Sequence, residues 1–258
     1  TWTGTMCLTE PDSGSNLADI TTTAVREGDH FKISGTKIFI SWGEHDLTDN
    51  IIHLVLARIE GAPSGVKGIS LFIVPKIRVN GDGSPGVPND VVCSSVEEKL
   101  GLHASPTAML NFGGSGACVG YLCGRENNGL AHMFQMMNAA RINTGVSGMT
   151  LASTAYRNAL EYTRTRIQGR DVAARKEGNV PIIDHPDVRR MLIWMKAMVD
   201  GMRSLIYTGA YWSDLALEMA DGPEKNHYQD LVDFVTPIIK AYCSDMGFRV
   251  CETAVQCL

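Results

Sequence analysis

Two hydrophobic rhythms divide the chain. Up to about residue 125, apolar residues come in short runs at 31–42, 51–59, 68–75 and 108–112, with Gly, Pro, Asp and Asn between them. These are strand lengths with turn punctuation, and Glu27-Gly28-Asp29 and Ser34-Gly35 read as turns. Residues 80–90 (NGDGSPGVPND) read as a long loop, because three glycines and two prolines suit neither strand nor helix. After Gly129 the period becomes helical. Leu192, Met195, Val199, Met202, Ile206 and Gly209 recur every three or four residues and share one helical face. Upstream, Gly145, Gly148, Ala152, Ala155 and Ala159 form a small-residue stripe that lets two helix backbones approach closely. Asp184-His185-Pro186 is a helix start, and Thr236-Pro237 reads as another, with Thr as N-cap and Pro in the first turn. The pattern predicts helices at 129–167, 186–220 and 224–235, and a last one from 237 onward. The fold class is therefore α+β: an antiparallel β-barrel-like domain at 1–124, then an incomplete up-and-down helical bundle at 125–258.

Composition narrows the function. The chain has 258 residues, 44% hydrophobic and 20% charged, which are ordinary globular values. The net charge of −5 argues against a nucleic-acid binder working through a basic surface. No apolar run is long enough to span a membrane. Seven cysteines without a C-x-x-C pair point to reduced, mostly buried thiols and to no metal site.

Two segments carry candidate chemistry: 6–16 (MCLTEPDSGSN) and 33–43 (ISGTKIFISWG). Taken singly, the first is a turn-rich loop and the second an amphipathic strand. Together they place two hydroxyls, Thr9 and Ser41, each beside an apolar or aromatic wall. That combination can sandwich and hydrogen-bond a flat heterocycle.

These segments resemble the two flavin-binding signatures of the acyl-CoA dehydrogenases. The resemblance continues through FIVPK, KLGLHASPTAMLNF, ENNGLAHMFQMMNAARINTG, RTRIQGR, HPDVRRML and the terminal TAVQCL, so it covers essentially the whole chain in the family's order. GEHDLTDNIIHLVLAR, SPTAML and TPIIKAYCSD look closest to the branch containing the 3-methylmercaptopropionyl-CoA dehydrogenases. The resemblance implies FAD as cofactor, with Met6, Leu8 and Thr9 facing the flavin ring and Phe39, Ile40 and Ser41 beside it. Phe39 stands where the family has Trp, which keeps the apolar wall and loses the indole N–H. Ser15, Met137, Asn138 and Arg141 match positions that meet acyl-CoA. Arg166, Gln168 and Gln256 match contacts to the FAD of a neighbouring subunit, which implies a homodimer or a dimer of dimers. The plainer reading of Arg164, Arg166 and Arg170 is cations at a helix C-terminus capped by Gly169. His185 is either a further cofactor contact or a structural residue at the helix start. Met133, Met136 and Met137 read first as core filling.

The family reaction removes an α-proton with a carboxylate and passes the β-hydrogen as hydride to flavin. One family position for that base, just before the arginine matched by Arg141, is Ala140 here. The other is expected beyond Leu258, so no catalytic residue is assigned, and the 258 residues alone are expected to be inactive. Glu10 is read as ordering the TEPDSGSN turn. The expected partners are an acyl-CoA substrate and an electron-transfer flavoprotein or other electron acceptor, with no nucleic acid and no membrane span. The expected compartment is the bacterial cytoplasm, with the mitochondrial matrix as the alternative. A non-catalytic flavin- or CoA-binding protein, an assembly remnant and an acyl-CoA oxidase-like enzyme are the competing readings.

Overall fold

The computed structural model describes residues 1–172 and 177–258, which fall into two units, Thr1–Gln135 and Met136–Leu258. In the first unit, β1 (Thr3–Cys7), β2 (Thr23–Glu27), β3 (His30–Ser41), β4 (Ile51–Ile59) and β5 (Ile69–Pro75) are followed by a two-stranded ribbon, β6 (Ile77–Val79) and β7 (Pro85–Pro88). Then come β8 (Val91–Val96), β9 (Thr107–Phe112) and β10 (Val119–Leu122).

Antiparallel pairing runs β4–β5–β10–β3–β2, and β2 returns to β4, closing a five-stranded barrel. Strands of alternating direction cannot close a ring of odd number, so the closing pair β2–β4 is parallel. A second parallel pair, β1–β4, lays the first strand along the barrel wall, and β9 and β8 extend the sheet from β3. The core alternates along the strands as a pleated sheet demands. Phe31, Ile33, Val55, Phe72, Val74, Leu110 and Phe112 are buried, and the Phe31 and Phe72 rings meet edge to face at 5.0 Å.

Two sequence expectations fail in this unit. Ser34-Gly35 is not a turn but lies inside β3. A Cβ at Gly35 would stand 2.7 Å from the Cα of Thr22, so this glycine admits a crossing backbone. Residues 80–90 are not wholly loop, because β7 pairs with β6 through Ile77–Pro88 and Val79–Pro85. A two-stranded ribbon asks for ladder donors on one side only, so it tolerates proline.

In the second unit, α1 (Gly129–Thr165, entering it at Met136) is followed by the ribbon β11 (Ile167–Arg170) and β12 (Asn179–Pro181), then α2 (Pro186–Glu218) and α3 (Pro223–Val255). The helical stripe read from sequence is the buried face of α2: Leu192, Met195, Val199, Met202, Ile206 and Gly209. The small-residue stripe of α1 meets α3, where a Cβ at Gly148 would lie 2.5 Å from the Cys243 carbonyl. Thr236-Pro237 does not start a new helix. α3 runs through it, with Thr236 buried and its Oγ1 donating to the Val232 carbonyl at 2.7 Å. A mid-helix proline costs about 3 kcal/mol, and burial of Val235, Ile239 and Cys243 in the three-helix core offsets that cost. Gly169 does not cap α1 either. It sits in β11, with φ +73°, where the register to β12 is irregular. All seven cysteines are free, and Cys7, Cys118, Cys243 and Cys257 are buried. Among the described residues no helix is long and apolar enough to cross a membrane.

Candidate functional site

β3 begins with its odd positions inward: Phe31 and Ile33 are buried, and so is Lys37. Continued, that phase would bury residue 39. Instead Lys37 pairs with Leu110 and Ile40 with Ala108, so one extra residue is accommodated between them. This β-bulge carries Phe39 in the left-handed region, φ +59°, turns Ile40 into the core and leaves Phe39 58% exposed. The strand ends at Ser41, and the Trp42 amide donates to the Pro106 carbonyl.

The segment after β1 is drawn onto this bulge. The Ile38 amide donates to the Thr9 carbonyl at 2.9 Å, and Lys37 Nζ donates to the Leu8 carbonyl at 3.0 Å. The structure therefore joins Leu8 and Thr9 to Lys37 and Ile38, immediately before Phe39, although the two segments lie about 30 residues apart in sequence. Met6 is exposed on β1, while Leu8 and Thr9 are half-buried. The Thr9 and Ser41 hydroxyls make no hydrogen bond among the described residues. An exposed aromatic side chain with two unused hydroxyls on the same two segments suits a flat heterocycle with polar edges. Ile40 offers such a ligand only its main chain. Ser15 lies exposed on the same loop, next to Asn16, which caps a short 3₁₀ turn.

Beneath the loop is a buried polar network that motif matching does not reveal. Glu10 is 3% exposed and its carboxylate accepts five hydrogen bonds. Oε2 takes the Thr21 amide at 2.6 Å and its hydroxyl at 2.8 Å. Oε1 takes the Thr22 amide at 3.0 Å, the Thr22 hydroxyl at 2.6 Å and Lys37 Nζ at 2.8 Å. Burial pushes this carboxyl up, but the Lys37 charge and the donors outweigh it and hold the group at about 2. Burial also lowers the Lys37 ammonium, and Glu10 partly restores it. A saturated, buried carboxylate is no base for a substrate proton, so Glu10 is structural, as read from the sequence. The signal for Lys37 was present in the chain: a lysine in phase with buried Phe31 and Ile33.

A second buried group resembles a nucleophile and base but is inert. Thr5 Oγ1 lies 2.8 Å and Cys7 Sγ 4.0 Å from His53 Nδ1. Burial pushes the Cys7 thiol up to about 12, and burial with the Lys76 charge pushes His53 down to about 3. The thiolate form that would react is suppressed.

In the helical unit the remaining candidates separate into two groups. Met137, Asn138 and Arg141 are half-buried on α1. Asn138 donates to Asp233 of α3 at 3.2 Å, and Gln229 donates to the same oxygen at 3.0 Å. Asp233 is thus a polar neighbour of the expected acyl-CoA contacts that sequence reading missed. Arg166 and Gln168 lie past the far end of α1, exposed, with Arg166 donating to Gln168 Oε1 at 3.3 Å. His185, at the N-cap of α2, bonds the Gln168 carbonyl at 2.7 Å and braces this ribbon. Gln256 follows α3 and, with Arg190, Met191, Trp194, Glu252 and Thr253, lines a cleft of about 330 Å³. Chain direction puts the end of α1, the start of α2 and the end of α3 together. Asn138 and Arg166 are 28 residues apart, about 42 Å at the helical rise of 1.5 Å, so they serve different places on the surface.

Two family models match. One, acyl-CoA dehydrogenase, middle domain, covers residues 5–114, and the other, acyl-CoA dehydrogenase, C-terminal domain, covers residues 127–258. A 3-methylmercaptopropionyl-CoA dehydrogenase of Ruegeria pomeroyi is 47% identical over 99% of the chain. A butyryl-CoA dehydrogenase of Syntrophomonas wolfei is 42% identical over the full chain. The chain spans 43% of each of these proteins. Among solved structures, the butyryl-CoA dehydrogenase of Megasphaera elsdenii superposes with a TM-score of 0.73 at 25% identity, over 98% of this chain and 57% of that one.

Proposed function

The chain belongs to the acyl-CoA dehydrogenase family, and from that premise we propose that the whole protein oxidises an acyl-CoA thioester to the trans-2-enoyl-CoA with FAD as cofactor. The observation that carries this reading is the joining of Leu8 and Thr9 to the bulge that exposes Phe39. Residues 1–124 act as the family's middle β domain and 125–258 as its C-terminal helical domain. FAD, when bound, supplies the acceptor for the β-hydride.

The chain's own residues have more limited tasks. Phe39 and Met6 give the ring an apolar wall, while the Thr9 and Ser41 hydroxyls bond its polar edge. Ser15, Met137, Asn138 and Arg141 hold the acyl-CoA. Arg166, Gln168 and Gln256 would hold the FAD of a second subunit, and the Arg166 guanidinium suits a bidentate contact to its diphosphate. The 42 Å or so between Asn138 and Arg166 supports that division between subunits and hence a homo-oligomer. The proton is taken by a carboxylate outside these 258 residues. Ala140 cannot accept it, and the Glu10 carboxylate is committed elsewhere. The electron-accepting partner is an electron-transfer flavoprotein or another electron acceptor, and the setting is the bacterial cytoplasm.

The test is anaerobic mixing of the purified, FAD-loaded whole protein with a series of acyl-CoA thioesters, butyryl-CoA and 3-methylmercaptopropionyl-CoA among them. Loss of the flavin's visible absorbance with formation of enoyl-CoA supports the reading. FAD uptake without bleaching by any thioester supports a non-catalytic binding protein. Rapid recovery of the absorbance when O₂ is afterwards admitted supports an oxidase-like enzyme. The 258-residue chain alone is expected to give no bleaching.

A further inference from the structure

Buried ion pairs are poor stabilisers. Two apolar groups of similar volume commonly serve as well or better, because desolvating both charges costs about what their attraction returns. The Glu10–Lys37 pair, with side chains 3% and 0% exposed, is therefore better explained by what it arranges than by stability. Its ammonium reaches Glu10 Oε1 and the Leu8 carbonyl, so it holds the segment after β1 by main chain and side chain together. Its own residue is the last inward position before the bulge that turns Phe39 outward. The carboxylate is oriented in turn by the amides and hydroxyls of Thr21 and Thr22. Together with the bond from the Ile38 amide to the Thr9 carbonyl, this buried contact sets the position of Leu8–Thr9 against the start of the bulge.

We propose that Glu10 and Lys37 are positioning residues for the flavin. By fixing the two ring-facing segments against each other, they set how tightly and in what polarity the isoalloxazine is held. This inference rests on the reading of these segments as an FAD site. Neither side chain touches the ring; both act through Leu8, Thr9 and Phe39. An apolar replacement would keep the barrel filled while leaving the loop free to shift. A site whose supporting residues are loosened loses affinity even though every group that touches the ligand remains.

The experiment compares wild type, Lys37→Met, the double variant Glu10→Gln/Lys37→Met, and Thr22→Val in the whole protein. Asn89→Ala is the control. Asn89 is a buried brace of the same unit that bonds the Pro75 and Val119 carbonyls and touches neither segment. Three quantities are read: the dissociation constant for FAD by titration of apoprotein, the visible spectrum of bound flavin, and Tm. The pair variants are expected to raise the FAD dissociation constant about tenfold or more and to shift the flavin bands. Asn89→Ala is expected to lower Tm with the flavin parameters unchanged. Should Lys37→Met not fold, Thr22→Val makes the same comparison more gently, since it keeps the ion pair and removes one donor that orients it. Its expected effect is about threefold. Pair variants that lose Tm with wild-type FAD affinity and spectrum would overturn the inference and leave the proposed function standing. A wild-type protein that takes up no FAD would overturn the proposed function, and this inference with it.

Discussion

Alanine substitution at three helical glycines separates helix propensity from helix crossing. In an unobstructed helix, Gly→Ala stabilises by about 0.5–1 kcal/mol, chiefly because alanine loses less backbone freedom on folding. Gly201 on α2 has nothing within 4 Å of its notional Cβ, so it should show that gain in full. Gly148 should show the opposite. Its Cβ would lie 2.5 Å from the Cys243 carbonyl oxygen, 3.1 Å from the carbonyl carbon and 3.3 Å from the Ser244 Cα, all main-chain atoms of α3. No rotamer change relieves that, so the helices must part by roughly an ångström and disturb the packing of Met149, Ile239 and Cys243. Overpacking of this kind costs about 1–3 kcal/mol, which outweighs the propensity gain. Gly145 is intermediate, because its nearest neighbour is the Ile239 Cγ2 methyl at 2.6 Å and main chain comes no closer than the Ile239 carbonyl oxygen at 3.2 Å. The assay is chemical denaturation followed by circular dichroism, with Tm as a second readout. The expected order of stability is Gly201→Ala above wild type, then Gly145→Ala, then Gly148→Ala. The extremes should lie about 1–3 kcal/mol apart, which is about 2–12 °C in Tm for a domain of this size. A Gly148→Ala protein as stable as Gly201→Ala would refute the close α1–α3 crossing.

Three further outcomes follow from the geometry. Acid should weaken the fold in two stages. His53, held down at about 3 by burial and the Lys76 charge, stays neutral when folded but binds a proton below about 6.5 when unfolded, so stability falls from there downward. Glu10, held at about 2, adds a further loss as pH drops from about 4.5 toward 2, on the order of 3 kcal/mol in all. His53→Gln should flatten the slope between pH 6.5 and 4.5 in urea titrations, and an unchanged slope would contradict the assignment. Phe39→Gly relieves a left-handed backbone worth about 1 kcal/mol, so the fold should hold or strengthen while FAD affinity falls about tenfold in apoprotein titration. Arg166→Ala should weaken FAD retention in the whole protein without altering the rank order of acyl-CoA thioesters that bleach it. Full retention of FAD by that variant would remove the residue from the cofactor site.

The chain's own pattern determined the larger features because each is local. The 3.6 period named the buried face of α2 residue by residue, and the small residues of α1 announced a close helix crossing. Strand lengths and turns marked three of the five barrel strands, β3, β4 and β5, and also β9, which extends the sheet. Residue types offered Thr9 and Ser41 as candidate contacts to a flat heterocycle, a reading of the sequence alone. Other features are decided by partners distant in sequence. Pro237 stays inside α3 because Val235, Ile239 and Cys243 are buried in a three-helix core, a gain that no local window contains. Gly35 is a strand residue and not a turn because Thr22 crosses it. The parallel pair β2–β4 follows from closing a barrel of five strands, a property of the whole ring. The direction of Phe39 depends on a bulge that appears only in its register against β9, and the position of Thr9 beside it depends on a lysine that periodicity alone would have made apolar. Residue types disclose the chemistry a site can carry. Only the folded chain sets the separation and aim of the groups, because those are fixed by contacts between segments that the sequence keeps apart.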